Sequence, residues 1–173
     1  VLDSGPVCAG ATGYTTAKVT ALHRLVYREL IERHGVERAR VYADANQSAV
    51  RTVAELAKAD NIECDLSAAD ALTYTARDES VADIESEAEA CGRVGIPVEL
   101  TTATDLPYPV KAAVRLDDQL HFHPRRYCVG LARRIVSMDG AVHEDTRALQ
   151  VTTGASGVSV TTARGTVSAA FAV

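Results

Sequence analysis

The chain opens with a pattern that limits the folds it can adopt: an apolar strand end, an acidic residue, a loop of small residues and the start of an amphipathic helix. Val1 and Leu2 precede Asp3, and the loop continuing to Thr20 is rich in glycine and threonine. Glycine lets a main chain approach a ligand closely, and free amides near a helix start attract anions. A carboxylate at the end of a strand suits a ribose. We therefore expect a nucleotide-binding or cofactor-binding segment in a fold of interleaved strands and helices.

The composition of the 173 residues is typical of a globular protein with a packed core. The net charge is −5 and no dense stripe of lysine and arginine is present, so we expect no nucleic-acid partner. No apolar run is long enough to cross a membrane and no signal peptide is visible, which predicts no membrane partner. The four cysteines form no Cys-x-x-Cys pair. We expect reduced, mostly buried thiols, no metal site and a cytoplasmic location.

Hydrophobic periodicity predicts a mixed α/β (α+β) class. Apolar spacings of three and four predict helices over residues 15–34 and 37–60, with Gly35 between them. Ser80 and Asp83 have the spacing of a capping box, and Pro124 suits the first turn of a helix with His123 as its cap. Alternating runs predict strands over residues 62–66, 71–75, 98–101, 111–116, 119–122, 141–144, 148–152, 158–162 and 166–173.

Several motifs resemble those of FAD-dependent oxidoreductases of the D-amino-acid oxidase and glycine oxidase superfamily. Val1-Leu2-Asp3 is similar to the strand whose terminal acid binds the ribose of FAD, and Gly10-Ala11-Thr12-Gly13 to the loop beside the pyrophosphate. Thr146-Arg147-Ala148 resembles the strand whose backbone pairs with the adenine. Thr-Thr-Ala-Lys-Val-Thr, with His23 and Tyr27 behind it, looks most like a bacterial subgroup that carries a C-terminal Rieske iron–sulfur domain.

The resemblance implies a domain plan and a set of cofactor contacts. Residues 1–61 and 124–173 would be parts of a Rossmann-like FAD-binding domain, and residues 62–123 a sheet-based substrate (cap) domain. The residues expected to contact FAD are Asp3, Thr12, Thr15, Thr16, Ala17, Lys18 and Ala148. Lys18 is also the candidate catalytic residue, because a cation can stabilise a reduced, anionic flavin or hold a substrate carboxylate. The simpler alternative is a solvated lysine at a helix start.

Two motifs of the family pattern are missing from the sequence. The Gly-x-Gly-x-x-Gly loop of dinucleotide folds and a Cys-x-His pair for a Rieske cluster are both absent. We interpret the chain as an internal fragment of an oxidoreductase that transfers a hydride from an amine or amino acid to FAD. The fragment alone is expected to lack FAD and activity, and its cut sheet edges to favour a homodimer. The alternative is a non-catalytic α/β binding or interaction module.

Other residues have structural interpretations. His121 and His123 form a His-x-His pair, but no third ligand is evident, so we expect no metal. The acidic residues Asp83, Glu85, Glu87 and Glu89 are predicted to form a solvated helix face. Ser4 lacks the Gly-x-Ser-x-Gly context of a hydrolase nucleophile.

Overall fold

A computed structural model describes residues 1–155 and 157–173, which form four α-helices and seven β-strands. The helices are α1 (Val26–His34), α2 (Val36–Ala59), α3 (Val81–Arg93) and α4 (Pro124–Ser137). The strands are β1 (Lys18–Val19), β2 (Ser67–Thr75), β3 (Glu99–Thr101), β4 (Ala112–His121), β5 (Ala148–Gly154), β6 (Gly157–Thr162) and β7 (Gly165–Ala169). The expected mixed α/β class is confirmed. Within these residues no helix combines the length and apolarity that crossing a membrane requires.

The residues group into two compact units. The central unit comprises Ala17–Ala59 and Asp65–Phe122, and the terminal unit comprises Val1–Thr16, Asp60–Cys64 and His123–Val173. Helices α1 and α2 therefore belong with strands β1 to β4, whereas the sequence grouped residues 1–61 together. The assignment of these regions to cofactor and substrate stays a prediction.

The central unit is built on an antiparallel sheet around β4. Strand β2 pairs along β4, and the shorter strands β1 and β3 pair with different parts of it. The β2–β4 register shifts between Ala69 and Ala71, and Asp118 has a φ of 56° at this irregularity. The strands expected at 111–116 and 119–122 are thus one irregular strand. Its residues Val114 and Leu116 join the apolar core with Leu22, Tyr27, Ile84, Cys91 and Ile96.

The first helix begins later than its apolar spacing predicts. Residues 18–19 form β1, and α1 starts at Val26 rather than near Thr15. Ala17 and Arg24 have φ values of 65° and 58°, in a left-handed region that an α-helix cannot contain. The C-terminal end is as expected, because Gly35 has a φ of 80° and its N–H bonds to the Ile31 carbonyl.

Glu87 is fully buried, so the expectation of a solvated acidic face is wrong for this residue. Its carboxylate oxygens accept hydrogen bonds from the backbone N–H groups of Tyr27, at 2.8 Å, and Arg28, at 2.9 Å. These groups lie in the first turn of α1, where N–H groups have no partner within the helix. Burial raises the pKa of Glu87 above its ordinary value, against the opposing effect of the two N–H donors. Glu85 and Glu89 are exposed, as expected.

The terminal unit contains α4 and an antiparallel sheet in the order β5-β6-β7. The His123 side chain accepts a hydrogen bond from the Arg126 N–H, which confirms it as the α4 N-cap. Gly130 of α4 lies against Ile62, where a Cβ would overlap the Ile62 side chain. Two expected strands are wrong: residues 62–66 have no strand, and 141–144 hold only an isolated bridge at His143.

Candidate FAD-binding site

Asp3 lies beside the segment that leads into β5. Its N–H donates to the His143 carbonyl at 2.9 Å, and the His143 N–H donates to the Val1 carbonyl at 2.9 Å, which makes a parallel bridge. The Asp3 carbonyl accepts from the N–H of Thr146 at 2.7 Å. Thr146 is buried and lies two positions before Ala148. The structure therefore brings Asp3 close along the backbone to the start of the Ala148 strand.

The Asp3 carboxylate also shapes the loop that follows it. Its Oδ1 accepts from the Gly5 N–H at 3.1 Å, which turns the chain within two residues. The Val7 N–H then donates to Oε1 of Glu144 at 2.6 Å. Two carboxylates thus hold the entry to the loop, and Asp3 itself is half-buried.

Residues 5–16, hereafter the glycine loop, fold tightly on themselves. The Gly13 N–H donates to the Gly10 carbonyl at 3.1 Å, within a short 3-10 turn at Ala11–Tyr14 that contacts α4. A Cβ on Gly13 would clash with the carbonyl oxygen of Cys8, so the turn in its present geometry requires glycine there. Thr12, on this turn, is exposed.

Thr15, Thr16 and Ala148 are also exposed. Thr15 and Thr16 are the last two residues of the glycine loop, which belongs to the terminal unit. Ala148 begins β5, which lies at one edge of its sheet and shows a register irregularity between Ala148 and Gln150. An edge strand presents backbone N–H and C=O groups that can bond to a ligand. The residues of the terminal unit therefore offer a carboxylate, hydroxyls and strand-edge backbone groups, and this donor set fits the ribose, phosphates and adenine of FAD.

Ala17 and Lys18 belong to the central unit. The Ala17 carbonyl accepts from the Phe122 N–H at 3.1 Å, and Lys18 pairs with His121 across β1 and β4. Lys18 therefore begins a strand and not a helix, and its side chain is exposed, as the alternative of a solvated lysine expects. On the other side of β4, His121 pairs with Ser67, and Ser67 Oγ lies 2.7 Å from His121 Nε2.

Lys18, His121 and Ser67 form a row across three strands, which we call the sheet-end row. Residues directly opposite in antiparallel strands place their side chains on the same face. All three are exposed. The sequence offered no signal for this row, because its members come together only through the long-range register of β1, β4 and β2. Among the described residues no cluster of histidine, cysteine and acidic side chains suits a metal.

An aromatic pair marks another part of the central sheet. Tyr74 Oη and Tyr108 Oη are 2.5 Å apart, and both side chains are partly exposed. The hydrogen bond with Tyr74 raises the pKa of Tyr108. The sequence offered no signal for this pair, because Tyr74 lies thirty-four positions before Tyr108.

Comparison with known proteins identifies the family of this chain. A family model described as FAD dependent oxidoreductase matches residues 1–173. The chain belongs to this family. The superfamily resemblance seen in the sequence is therefore confirmed.

A bacterial protein is similar over the whole length of this chain. The chain is 34% identical over 173 residues to a protein of Bacillus subtilis (strain 168) named as a Rieske 2Fe-2S iron-sulfur protein, YhfW. The match covers 100% of this chain and 34% of that protein, so the chain spans about a third of its relative's length. The similarity to a Rieske-associated relative is confirmed.

Solved structures share the fold at low sequence identity. Glycine oxidase from Geobacillus kaustophilus superposes with a TM-score of 0.67 at 16% identity, covering 98% of this chain and 46% of that one. L-amino acid deaminase from Proteus vulgaris gives a TM-score of 0.69 at 12% identity, covering 96% and 39%. At these identities the likeness establishes the fold, and the chain spans less than half of either enzyme.

Proposed function

We propose that this chain supplies part of the FAD-binding and substrate-binding surface of an oxidoreductase acting on an amine or amino acid. The observation that carries the proposal is the backbone bonding of Asp3 to His143 and Thr146, next to Ala148. It supports a single ribose-and-adenine site built from both ends of the chain. Membership of the FAD-dependent oxidoreductase family and the fold shared with amino-acid-processing enzymes support the reaction class.

In this proposal the terminal unit holds the nucleotide part of FAD. Asp3 accepts hydrogen bonds from the ribose hydroxyls, as acids at this position do in dinucleotide folds. The hydroxyls of Thr12, Thr15 and Thr16 lie on the glycine loop, where small residues allow a phosphate close to the backbone. The edge backbone of Ala148 pairs with the adenine. These contacts bind and orient the cofactor without taking part in the reaction.

The central unit is proposed to supply the groups around the reacting atoms. FAD, when bound, supplies the chemistry of accepting a hydride from the carbon next to the substrate nitrogen. The Ala17 backbone is proposed to contact the flavin ring. The Lys18 ammonium places a positive charge where the reduced ring or a substrate carboxylate carries a negative one. Residues 62–123 would form the substrate domain.

The test is a spectrum of the full gene product that contains this sequence. The proposal expects a yellow protein with a flavin absorbance band that bleaches when an amine or amino-acid substrate is added without oxygen. A colourless product that takes up no added FAD would contradict it, and would favour a non-catalytic binding module.

The role of Lys18 has a separate test in the same protein. Lys18→Met removes the charge and keeps the length of the side chain. A more negative flavin reduction potential would assign the lysine to the ring, and a raised KM with unchanged potential would assign it to the substrate carboxylate. Lys58→Met, at the exposed end of α2, is the matched control. If both variants match the parent in potential and KM, Lys18 has no role in the site.

A further inference from the structure

Strand β1, which carries Lys18, is only two residues long, and Lys18 and His121 form one of its two pairs with β4. A strand this short has few backbone hydrogen bonds of its own, so other contacts have to fix its place. We propose that two buried side chains, Gln119 and Tyr27, are positioning residues that fix the chain just after β1. They thereby hold Lys18 in place, a role that rests on the function proposed above for Lys18.

Gln119 holds the N–H side of Ala21. Its Oε1 accepts from the Ala21 N–H at 2.8 Å, and both residues are buried. In a regular antiparallel ladder Asp118 would lie opposite Ala21 and its carbonyl would accept this N–H. The β4 backbone leaves its extended path at Asp118, whose φ is 56°. The Gln119 side chain therefore replaces the missing backbone acceptor, and its Nε2 donates to the Asp117 carbonyl at 3.0 Å, so both ends of the amide are used.

Tyr27 holds the carbonyl side of Ala21. The Tyr27 hydroxyl donates to the Ala21 carbonyl at 2.5 Å, and Tyr27 is fully buried. Burial raises the pKa of Tyr27 above its ordinary value, so the hydroxyl keeps its proton and remains a donor at neutral pH. The Tyr27 N–H in turn donates to the buried carboxylate of Glu87. The peptide groups on the two sides of Ala21 are therefore held by side chains from β4 and α1.

These bonds bear on Lys18 because it lies three residues before Ala21. On its other side the Ala17 carbonyl accepts from the Phe122 N–H at 3.1 Å. Bonds at Ala17 and Ala21 thus bracket Lys18, and loss of those at Ala21 leaves β1 held by its own short ladder and by Ala17. A group misplaced by about 1 Å in a reacting site can cost about 100-fold in rate. Gln119 and Tyr27 therefore act on the site through the position of Lys18, without contact with the substrate.

The first test measures the bond at Ala21 in the full gene product and does not depend on FAD. Gln119→Met keeps the length of the side chain and removes the amide. Exchange of the Ala21 N–H with deuterated water, resolved by mass spectrometry with fragmentation, should become about 3-fold to 10-fold faster than in the parent. Gln47→Met, half-buried on α2, is the matched control and should leave this rate unchanged. An unchanged rate in Gln119→Met would overturn the proposal.

The second test separates a positioning role from a merely structural one. Lys18→Met is expected to change either the flavin reduction potential or KM. Gln119→Met should change the same quantity in the same direction. The double variant should match Lys18→Met alone, since displacement of the segment has no further effect once the ammonium is absent. Tyr27→Phe removes the second bond and keeps the ring, and should act in the same way in both tests if Gln119→Met fails to fold.

The outcomes distinguish a failure of this role from a failure of the proposed function. If Lys18→Met changes neither the potential nor KM, Lys18 has no role in the site and the positioning role is overturned with it. If Lys18→Met changes one of them while Gln119→Met and Tyr27→Phe leave it at the parent value, only the positioning role is overturned. Strictly additive changes in the double variant would also overturn it.

Discussion

Removing the Glu87 carboxylate is expected to destabilise the central unit more than any change of an exposed acid on α3. In Glu87→Ala the N–H groups of Tyr27 and Arg28 lose their acceptors inside the protein. A buried donor left without a partner costs about 1–3 kcal/mol, and the deleted side chain leaves a cavity as well. We expect a total loss of about 2–5 kcal/mol, a large share of the roughly 5–15 kcal/mol that stabilises a domain.

Urea unfolding followed by circular dichroism measures this loss. With a slope of about 1–3 kcal/mol per molar urea, the midpoint of Glu87→Ala should fall by roughly 1–2 M. Glu85→Ala is the matched control, because Glu85 is exposed on the same helix, and its midpoint should stay within about 0.3 M of the parent. Equal midpoints for Glu87→Ala and Glu85→Ala would refute the capping role.

The pH dependence gives a second test of Glu87. Its pKa in the folded chain lies above the ordinary value, so the folded state holds this proton more tightly than the unfolded state does. Its contribution to stability is therefore full below the unfolded-state pKa and is lost as pH rises through the folded-state pKa. Glu87→Gln does not titrate and keeps one acceptor oxygen. As the pH rises from the unfolded-state pKa to the folded-state pKa of Glu87, the free energy of unfolding of the parent should fall relative to that of Glu87→Gln. A difference between the two proteins that does not change with pH would contradict the raised pKa.

Three further substitutions test the terminal unit by thermal or urea unfolding. Gly13→Ala should lower the free energy of unfolding by about 1–3 kcal/mol, because its Cβ meets a backbone carbonyl of the same loop. Gly10→Ala has open space around it and should lower this free energy by less than about 1 kcal/mol. Equal losses in the two variants would contradict the close approach at Gly13. Gly130→Ala should destabilise by overlap with Ile62, and adding Ile62→Ala should recover part of that loss; strict additivity would argue against the contact. His123→Ala should cost about 0.5–1 kcal/mol by removing the α4 cap, and no change in stability would show that its bond contributes nothing.

Local patterns predicted the long helices well. Helix α2 runs from Val36 to Ala59, within a residue of the predicted 37–60, because its apolar residues recur at helical spacing without interruption. Helix α4 begins at Pro124 with His123 as its cap, as the fixed φ of proline favours. These features depend on neighbours in sequence, which a single chain displays directly.

Features set by distant contacts were missed. The apolar spacing of residues 15–25 resembles a helix, but β1 pairs with β4 and positive φ at Ala17 and Arg24 ends any helix there. Glu87 was expected to face solvent because its sequence neighbours are acidic. Its role depends on the start of α1, sixty positions away, which no pattern around Glu87 displays.

The candidate site also combines features that a sequence pattern predicts with features that depend on distant contacts. The Asp3 strand end and the glycine loop were visible as motifs. The bonding of Asp3 to Thr146 and the sheet-end row of Lys18, His121 and Ser67 depend on strand registers that the sequence alone leaves undetermined. The superfamily resemblance supplied the expected link between Asp3 and Ala148, and the structure places their backbone segments side by side.

The most direct measurement of the central claim is an FAD titration of the full gene product with Asp3 substituted. Asp3→Asn keeps an oxygen for the Gly5 N–H but removes the charge, and Asp3→Ala removes both. Loss of a hydrogen bond to a charged group costs about 1.5–3 kcal/mol, so Asp3→Ala should weaken FAD binding about 10-fold to 100-fold. Glu63→Ala, an exposed acid in the same unit, should bind FAD as the parent does. Parent-like affinity in Asp3→Ala, with its fold intact by circular dichroism, would contradict the account.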